Sequence, residues 1–453
     1  MVAGAEERLH RGQARFAYRL ARLHADRLMF VHGLGWYAWD GCRWVPDDHG
    51  MAKRAVLDTL RSALAESLDD KGLRDDVRRS ESAAGISGVL DIAAALEPFA
   101  RTVADLDADP YLLNVANGTL DLRTLTVRPH EPADRLTKVT RAAYRPEATG
   151  TAWEGFLAAV LPDDDVRGYL QRLIGLSLLG KVVEHIFTIA TGTGANGKGT
   201  SYNAILYALG DYGHVAESDL FMSAKSNPNG ASPAQMGLLG KRLIVVSETE
   251  RDHKLAVALM KNLTGGDPIT ARPLYGKPVT FNPSHTSLMV TNYLPKVAGD
   301  DPAAWRRLRV IPFDVVIPEG QRDGRLGEQL ELECDAILSW AVEGYRQYEQ
   351  RGMDAPEAVK AATDGYMRDS DAVARFISDC CMVNPHAYAS VEDLFARWSK
   401  WASEDGAEPL TKRAFGDALT THGYESTRRG GRSVRPGIGL MAEEDSEGDD
   451  RSW

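Results

Sequence analysis

Residues 185–210 read HIFTIATGTGANGKGTSYNAILYALG. HIFTIA is a short apolar run suited to a buried strand; a glycine-rich turn follows, then a helical stretch ending at Gly210. That strand–loop–helix order is what a phosphate-binding loop needs. Gly192, Gly194 and Gly197, with Thr193, Ala195 and Asn196 between them, let the backbone curl so that its N–H groups converge on phosphate oxygens. Lys198 is then placed to neutralise the β- and γ-phosphates. The general pattern GxxxxGK[ST] puts a hydroxyl after the lysine to hold Mg²⁺. Here Gly199 stands in that place and Thr200 follows. Either Thr200 supplies the hydroxyl from the next position, or the metal is held through water and an acidic strand. The segment reads as a nucleoside triphosphate site.

Downstream, GKRLIVVSETE (240–250) gives a second buried strand ending in acids. A P-loop ATPase needs carboxylates there, one to orient Mg²⁺ and one to polarise the attacking water. Glu248 and Glu250 are the candidates, with Glu248 the metal ligand. KLAVALMKNLT then reads as a helix capped by Asp252 and stopped by Gly265-Gly266. ITARPLYGKPVTF (269–281) reads as a hairpin with Tyr275 and Lys277 near its tip, an aromatic beside a cation suited to stacking on a base and gripping phosphate. HTSLMVTNYLPKV (285–297) is a third strand ending in Asn292, whose amide can sense the γ-phosphate. AAWRRLRVIPFD (303–314) sets Arg306, Arg307 and Arg309 before a fourth strand; an arginine near a subunit edge could reach a neighbour's γ-phosphate.

The rest of the chain bounds this reading. Its 453 residues suggest two to four domains with sizeable cores. The four cysteines, Cys42, Cys334, Cys380 and Cys381, make no CxxC pair, which argues against a zinc ribbon or a thioredoxin-type site and for a reducing cytosol. The charge-free stretch Pro278–Pro295 is interrupted by Asn282, Pro283, Ser284 and His285, and the N-terminus has no apolar signal core. We therefore expect a soluble, cytoplasmic protein with no membrane contact. Lys+Arg total 53 against 64 Asp+Glu, a net charge of -11 that argues against coating nucleic acid over the whole surface.

Six regions are expected: 1–105, mostly helical with a short hairpin at 30–48; 106–180, short strands and then helices; 181–320, the α/β core; 321–370, a helical connector; 371–442, a small module; and 443–453, an acidic tail read as disordered. In the module, FISDCCMV, VEDLFARWSKWASEDG and LTKRAFGDALTTHGY read as three helices. ESTRRGGRSVRPGIGLM reads as two short strands joined by a basic loop. Three helices plus a wing is the winged-helix arrangement, and Arg428, Arg429, Arg432 and Arg435 suit backbone phosphates.

In order, GTGANGKGT, RLIVVSETE, KNLTGGDPITARPLYGK, LMVTNYLP and WRRLRVIPF resemble the superfamily 3 helicases, specifically the poxvirus/phage-type helicases associated with phage and plasmid DNA primases. The upstream LLNVANGTLDLRT resembles the region preceding the helicase core in that family. The resemblance implies an AAA+-like P-loop core and a homo-hexameric ring with ATP between subunits. Gly192, Gly194, Asn196, Gly197, Lys198 and Thr200 match the nucleotide loop, Glu248 and Glu250 the acidic strand, and Asn292 the sensor. Arg307 best matches the finger by its spacing of fifteen from Asn292, with Arg306 a close second. Tyr275 and Lys277 fall where the family's DNA-gripping hairpin lies.

The expected protein is thus an ATP-dependent DNA helicase of phage, prophage or plasmid replication in a bacterial cell, moving 3′ to 5′ on single-stranded or forked DNA. Only about 105 residues precede the NVANGTLDL region and no paired-carboxylate polymerase site stands out, so no priming activity is expected and a separate primase or polymerase is the implied partner. Two alternatives remain: a winged-helix replication initiator or regulator that uses ATP only to assemble, and a small-molecule kinase on a P-loop fold.

Overall fold

The structure is a computed structural model. It describes residues 7–441 apart from 8, 218–219, 222–232, 248–253, 273–276, 298–300 and 408. The 443–453 tail, Glu248, Glu250, Asp252 and Tyr275 lie outside the described residues.

The N-terminal region packs helices Gly12–His24, Met51–Glu66, Lys71–Ser80 and Ala83–Ala93 around Phe16, Leu20, Val56, Leu60 and Val89. Against them lies a sheet of β1 (Leu28–Val31), β2 (Gly35–Trp39), β3 (Trp44–Pro46) and β4 (Ala100–Arg101), in the order β3-β2-β1-β4. The hairpin expected at 30–48 is therefore part of a four-stranded sheet. A three-stranded antiparallel meander follows: β5 (Leu112–Val115), β6 (Gly118–Asp121) and β7 (Thr126–Arg128).

Two side chains tie these parts together. Asn114, fully buried in the apolar run of β5, donates through Nδ2 to the carbonyls of Cys42 and Lys138 at 2.9 and 3.0 Å. Arg242, buried at the entry to the core sheet, donates to the carbonyls of Pro110, Leu178 and Leu112 at 3.0, 2.6 and 2.9 Å. Burial lowers its pKa, and the Tyr212 ring 5.3 Å below its guanidinium covers one face.

The core is a five-stranded, all-parallel sheet of β8 (Phe187–Thr191), β9 (Gly213–Ala216), β10 (Leu243–Ser247), β13 (Thr286–Thr291) and β14 (Leu308–Pro312). Its order is β14-β8-β13-β10-β9. Sheets covered on both faces are built from continuous apolar runs, as LIVV and SLMV are. Alternate residues divide between two cores. Ala190, Val245, Leu288 and Ile311 face helices Thr151–Val160, Asp164–Ser177, Lys198–Leu209 and Cys334–Arg351. Ile189, Val246, Met289 and Val310 face Phe221, Leu255, Met260, Phe281 and Tyr366.

Between β10 and β13 sits the antiparallel hairpin of β11 (Ile269–Ala271) and β12 (Val279–Phe281). Ile269, Ala271, Val279 and Phe281 are buried in the second core, while Thr270 and Thr280 face outward and hydrogen-bond across the pair at 2.9 Å. The preceding helix is shorter than its sequence suggests, Val257–Leu263. Lys254 and Leu255 are held instead by backbone pairing with Lys296, and the Ala256 N–H donates to Phe221 O.

Helices Leu326–Leu332, Cys334–Arg351 and Glu357–Ser370 form the connector. Last comes a module with the chain order helix Ala372–Cys380, β15 (Cys381–Ser390), helix Val391–Asp405, helix Lys412–Thr421, β16 (Thr427–Arg429) and β17 (Arg432–Leu440). Its sheet runs β15-β17-β16. Asp371, Ser390 and Thr411 cap the three helices through their side chains. Phe376, Leu394, Trp398, Phe415 and Ile438 form its core, with Trp398 stacked on Phe415 at 5.2 Å. FISDCCMV is split: the helix stops at Cys380 and CMV starts β15, because its backbone pairs with Ile438–Leu440 of β17.

Candidate functional site

The nucleotide loop lies at the carboxyl end of β8, flanked in the sheet by β13 and β14. Thr191 pairs with Thr291 on one side and Pro312 on the other, so the three strands end level. Open parallel sheets bind ligands at this edge. Two glycines are required by geometry. Gly192 has φ 151° and a Cβ there would lie 2.2 Å from Phe313 O; Gly197 has φ 81° and its Cβ would meet Val160 Cγ1 at 2.5 Å. Ala195 adopts φ 61° and its carbonyl accepts from Ile317 N–H at 2.8 Å. The loop is thereby fastened to the chain following β14.

Lys198 opens the helix Lys198–Leu209. Its side chain is only 6% exposed, and Nζ donates to Gly192 O at 2.6 Å, Asn196 Oδ1 at 3.1 Å and Asn292 Oδ1 at 3.2 Å. Asn196 is buried as well, and its Nδ2 donates to Phe313 O at 2.9 Å. Burial holds the Lys198 ammonium below the ordinary lysine value. A buried cation surrounded by neutral amide oxygens is a receptor for an anion.

Thr193, Gly194 and Gly199 are exposed along the loop and Thr200 is half-buried. A Cβ at Gly199 would meet nothing nearer than Tyr202 at 4.0 Å, so the place a hydroxyl would take is open space. Ser201 is spent, since its Oγ donates to Gly197 O at 2.9 Å. Between Thr200 and Ser201, Thr200 is the hydroxyl that could hold Mg²⁺. Mg²⁺ needs only one or two protein oxygens when phosphates and waters complete its shell. Beside Thr200 opens a cleft of about 250 Å³ lined by Asn203, Ala204, Asp323, Gly324, Leu326, Gly327 and Glu331. A larger concavity, about 530 Å³ around Glu97, Arg101, Asp105 and Arg135, includes no loop residue. Its groups are engaged internally: Arg101 donates to the Glu97 and Ala100 carbonyls, and Arg135 lies 3.9 Å from Asp105.

The two finger candidates differ. Arg306 is exposed. Arg307 is half-buried, donating through Nη1 to Ala303 O at 2.9 Å, while its buried Nε has no partner among the described residues. Lys277 is exposed in the 272–278 connection between β11 and β12.

On the small module, Arg428, Arg429 and Arg432 are exposed around the turn Gly430-Gly431, both at positive φ as a two-residue hairpin requires. Arg435 departs from the expectation that it would bind phosphate. It is 5% exposed, and its guanidinium donates to Thr420 Oγ1 and Gly416 O at 2.6 Å each and to Tyr424 O. These bonds lock the helix Lys412–Thr421 to the sheet. Asn114 and Arg242 were not singled out from sequence; a polar residue inside LLNV and an arginine opening LIVV were the available signals.

Three family models match the chain: "D5 N terminal like" over residues 17–162, "Family of unknown function (DUF5906)" over 190–307, and "Poxvirus D5 protein-like" over 368–433. Residues 17–162 and 368–433 thus match D5-type models, as D5-type superfamily 3 helicases do. The chain is similar to a "Putative helicase" of Acanthamoeba polyphaga mimivirus, 29% identical over 338 residues, covering 70% of this chain and 35% of that protein. A "Putative helicase" of Invertebrate iridescent virus 3 is 29% identical over 333 residues, covering 65% and 35%. A "Putative primase" of African swine fever virus (strain Badajoz 1971 Vero-adapted) is 23% identical over 325 residues, covering 66% and 34%. The chain thus spans about a third of the length of these relatives. The D5-type match at 17–162 runs across the boundary expected at 105/106. These relatives are proteins of eukaryotic viruses and lend no support to the expected bacterial host. Among solved structures, the apo NrS-1 C terminal region aligns over 91% of this chain and 96% of that one, at 10% identity and a TM-score of 0.47. No described helix is long and apolar enough to cross a membrane.

Proposed function

We propose that this chain is the ATP-hydrolysing motor of a DNA replication helicase, acting as a ring, with six subunits the expected number. The observation that carries the reading is the convergence of Lys198 and Asn292 at the level ends of β8 and β13. It joins the cation that receives a triphosphate to the amide that can report its γ-phosphate.

In this reading the triphosphate lies along the N–H groups of residues 192–200, and Lys198 exchanges its amide oxygens for phosphate oxygens. Asn292, released from Lys198, turns its amide toward the γ-phosphate and the attacking water. Mg²⁺, held by Thr200 and Glu248, would neutralise charge on the β- and γ-oxygens. Glu250, or Glu248, polarises the water. The nucleoside occupies the cleft beside Thr200, where Asn203, Asp323 and Glu331 offer acceptors to ribose hydroxyls or an exocyclic amine. The neighbouring subunit supplies an arginine; Arg306, being exposed, is better disposed for that than Arg307. Hydrolysis moves the hairpins carrying Tyr275 and Lys277 along single-stranded DNA, 3′ to 5′. The 371–442 module is read as a winged helix that holds DNA through Arg428, Arg429 and Arg432. The biological setting is replication of a virus or another mobile element, phage and plasmid included, with priming supplied by a partner or by a primase domain of the same assembly.

A forked-duplex displacement assay beside an ATPase assay tests this. DNA-stimulated hydrolysis with strand separation, both lost in Lys198→Ala, is expected. Hydrolysis with no displacement by the assembled ring would instead favour an initiator that uses ATP only to assemble.

A further inference from the structure

Tyr388 is 53% exposed on β15, the edge strand of the small module, and the Arg429 guanidinium carbon sits 4.3 Å from its ring centroid. The strand is built to present that ring. Val383 pairs with Ile438 and Tyr388 with Pro436, so residues 384–387 bulge out opposite Gly437 alone. Such a bulge re-aims the side chain that follows it and interrupts the edge. His386 is exposed within the bulge, and Met382 and Val383 are exposed just before it, at 51% and 61%.

Several exposed arginines of this acidic chain meet a carboxylate: Arg61 with Asp58, Arg123 with Asp109, Arg346 with Glu343. Arg428 and Arg432 have no acidic partner among the described residues, and the partner of Arg429 is the ring itself. An arginine pair for phosphates would suffice on duplex DNA. A half-exposed aromatic ring capped by a guanidinium adds nothing on a duplex, whose bases are already stacked. It does suit an unpaired base, because base–aromatic stacking beside a cationic backbone track is how sequence-tolerant single-strand sites are made.

We propose that Tyr388, with Arg429 behind it, is a stacking platform for an unpaired DNA base, and that the wing face therefore holds single-stranded DNA rather than duplex alone. The proposal rests on the DNA-binding reading of the module. Arg429 fixes the ring's orientation and keeps a positive charge beside it. Arg428 and Arg432 take flanking phosphates, and the stacked base enters over the exposed ring.

The test uses the full chain, without nucleotide and in a Lys277→Ala background to weaken the other single-strand contact. Anisotropy would be read with oligothymidylate, an abasic strand of equal length and a duplex, at one salt concentration. Tyr388→Ala should weaken oligothymidylate binding about tenfold, the effect of losing one stacked base. It should change abasic-strand and duplex affinity less than about twofold, and Tyr388→Trp should restore binding. Thermal melts of the exposed-site variants check folding. Equal loss on oligothymidylate and abasic strand, or no loss on either, overturns the platform. Arg428→Ala/Arg432→Ala separates the levels: if it weakens all three ligands while Tyr388→Ala weakens none, only the platform falls. If it too changes nothing, the DNA-binding reading of the module falls with it.

Discussion

Lys198 Nζ donates to Asn292 Oδ1 at 3.2 Å, joining residues 94 apart in sequence at neighbouring strand ends. The bond couples the glycine-rich loop to the strand beside it. In the proposed function a triphosphate replaces it, so that occupancy of the loop reaches Asn292.

Lys198→Ala should abolish ATP turnover, because the buried cation is the receptor for β/γ-phosphate charge. Asn292→Ala should keep nucleotide affinity within about threefold and lower kcat by about 10²-fold, the signature of an interaction made in the transition state. Equilibrium nucleotide binding and steady-state hydrolysis check both, and a large affinity loss in Asn292→Ala would remove the sensor role.

Arg306→Ala should bind nucleotide normally yet fail to hydrolyse it, and mixing it with Lys198→Ala subunits should recover part of the activity. Arg307→Ala loses a half-buried packing contact to Ala303 and should lower the melting temperature by a few degrees, the effect of about 1 kcal/mol. Rescue by Arg307→Ala and not by Arg306→Ala would return the finger to Arg307.

Arg435→Ala and Arg428→Ala should fail in different ways. The first leaves two backbone carbonyls and Thr420 without their buried donor and should cost roughly 2–3 kcal/mol of module stability. The second should leave the melt unchanged, weaken DNA binding uniformly across sequences and reduce the salt slope by about 1. Melting curves and salt titrations distinguish them.

His285, 5% exposed with neither ring nitrogen partnered among the described residues, is held at a pKa of about 4 by burial and secondarily by His214. His214 is itself lowered by burial and by Lys241, whose own pKa falls to about 8. The unfolded chain takes up a proton on His285 near pH 6.5 while the folded chain resists it until about pH 4. Stability should therefore fall as pH drops from about 6.5 to 4, by on the order of 3 kcal/mol, and level off below. Urea midpoints at pH 7.5 and 4.5 would show this, and His285→Leu should flatten the difference.

The loop and the strands β8, β10, β13 and β14 were legible locally; their order in the sheet and β9 were not. Each signal, whether Gly192 and Gly197 at positive φ, the LIVV run of β10 or Asn292 closing β13, depends on neighbours within a few residues. The three capped helices and the Gly430-Gly431 turn of the small module were legible for the same reason. β15 was not, because CMV becomes a strand only when β17 is beside it.

Sequence by itself determined that a glycine-rich loop with a lysine follows a buried strand, and where the cations lie along the chain. Tertiary structure decided what each cation does. Arg435 and Arg242 spend their guanidinium groups on buried carbonyls, Arg307 folds back on Ala303, and Arg306, Arg428 and Arg432 stay at the surface. A positive charge reads the same in any sequence. Burial and the supply of nearby carbonyl oxygens, set by residues far along the chain, decide whether it packs the fold or meets a ligand.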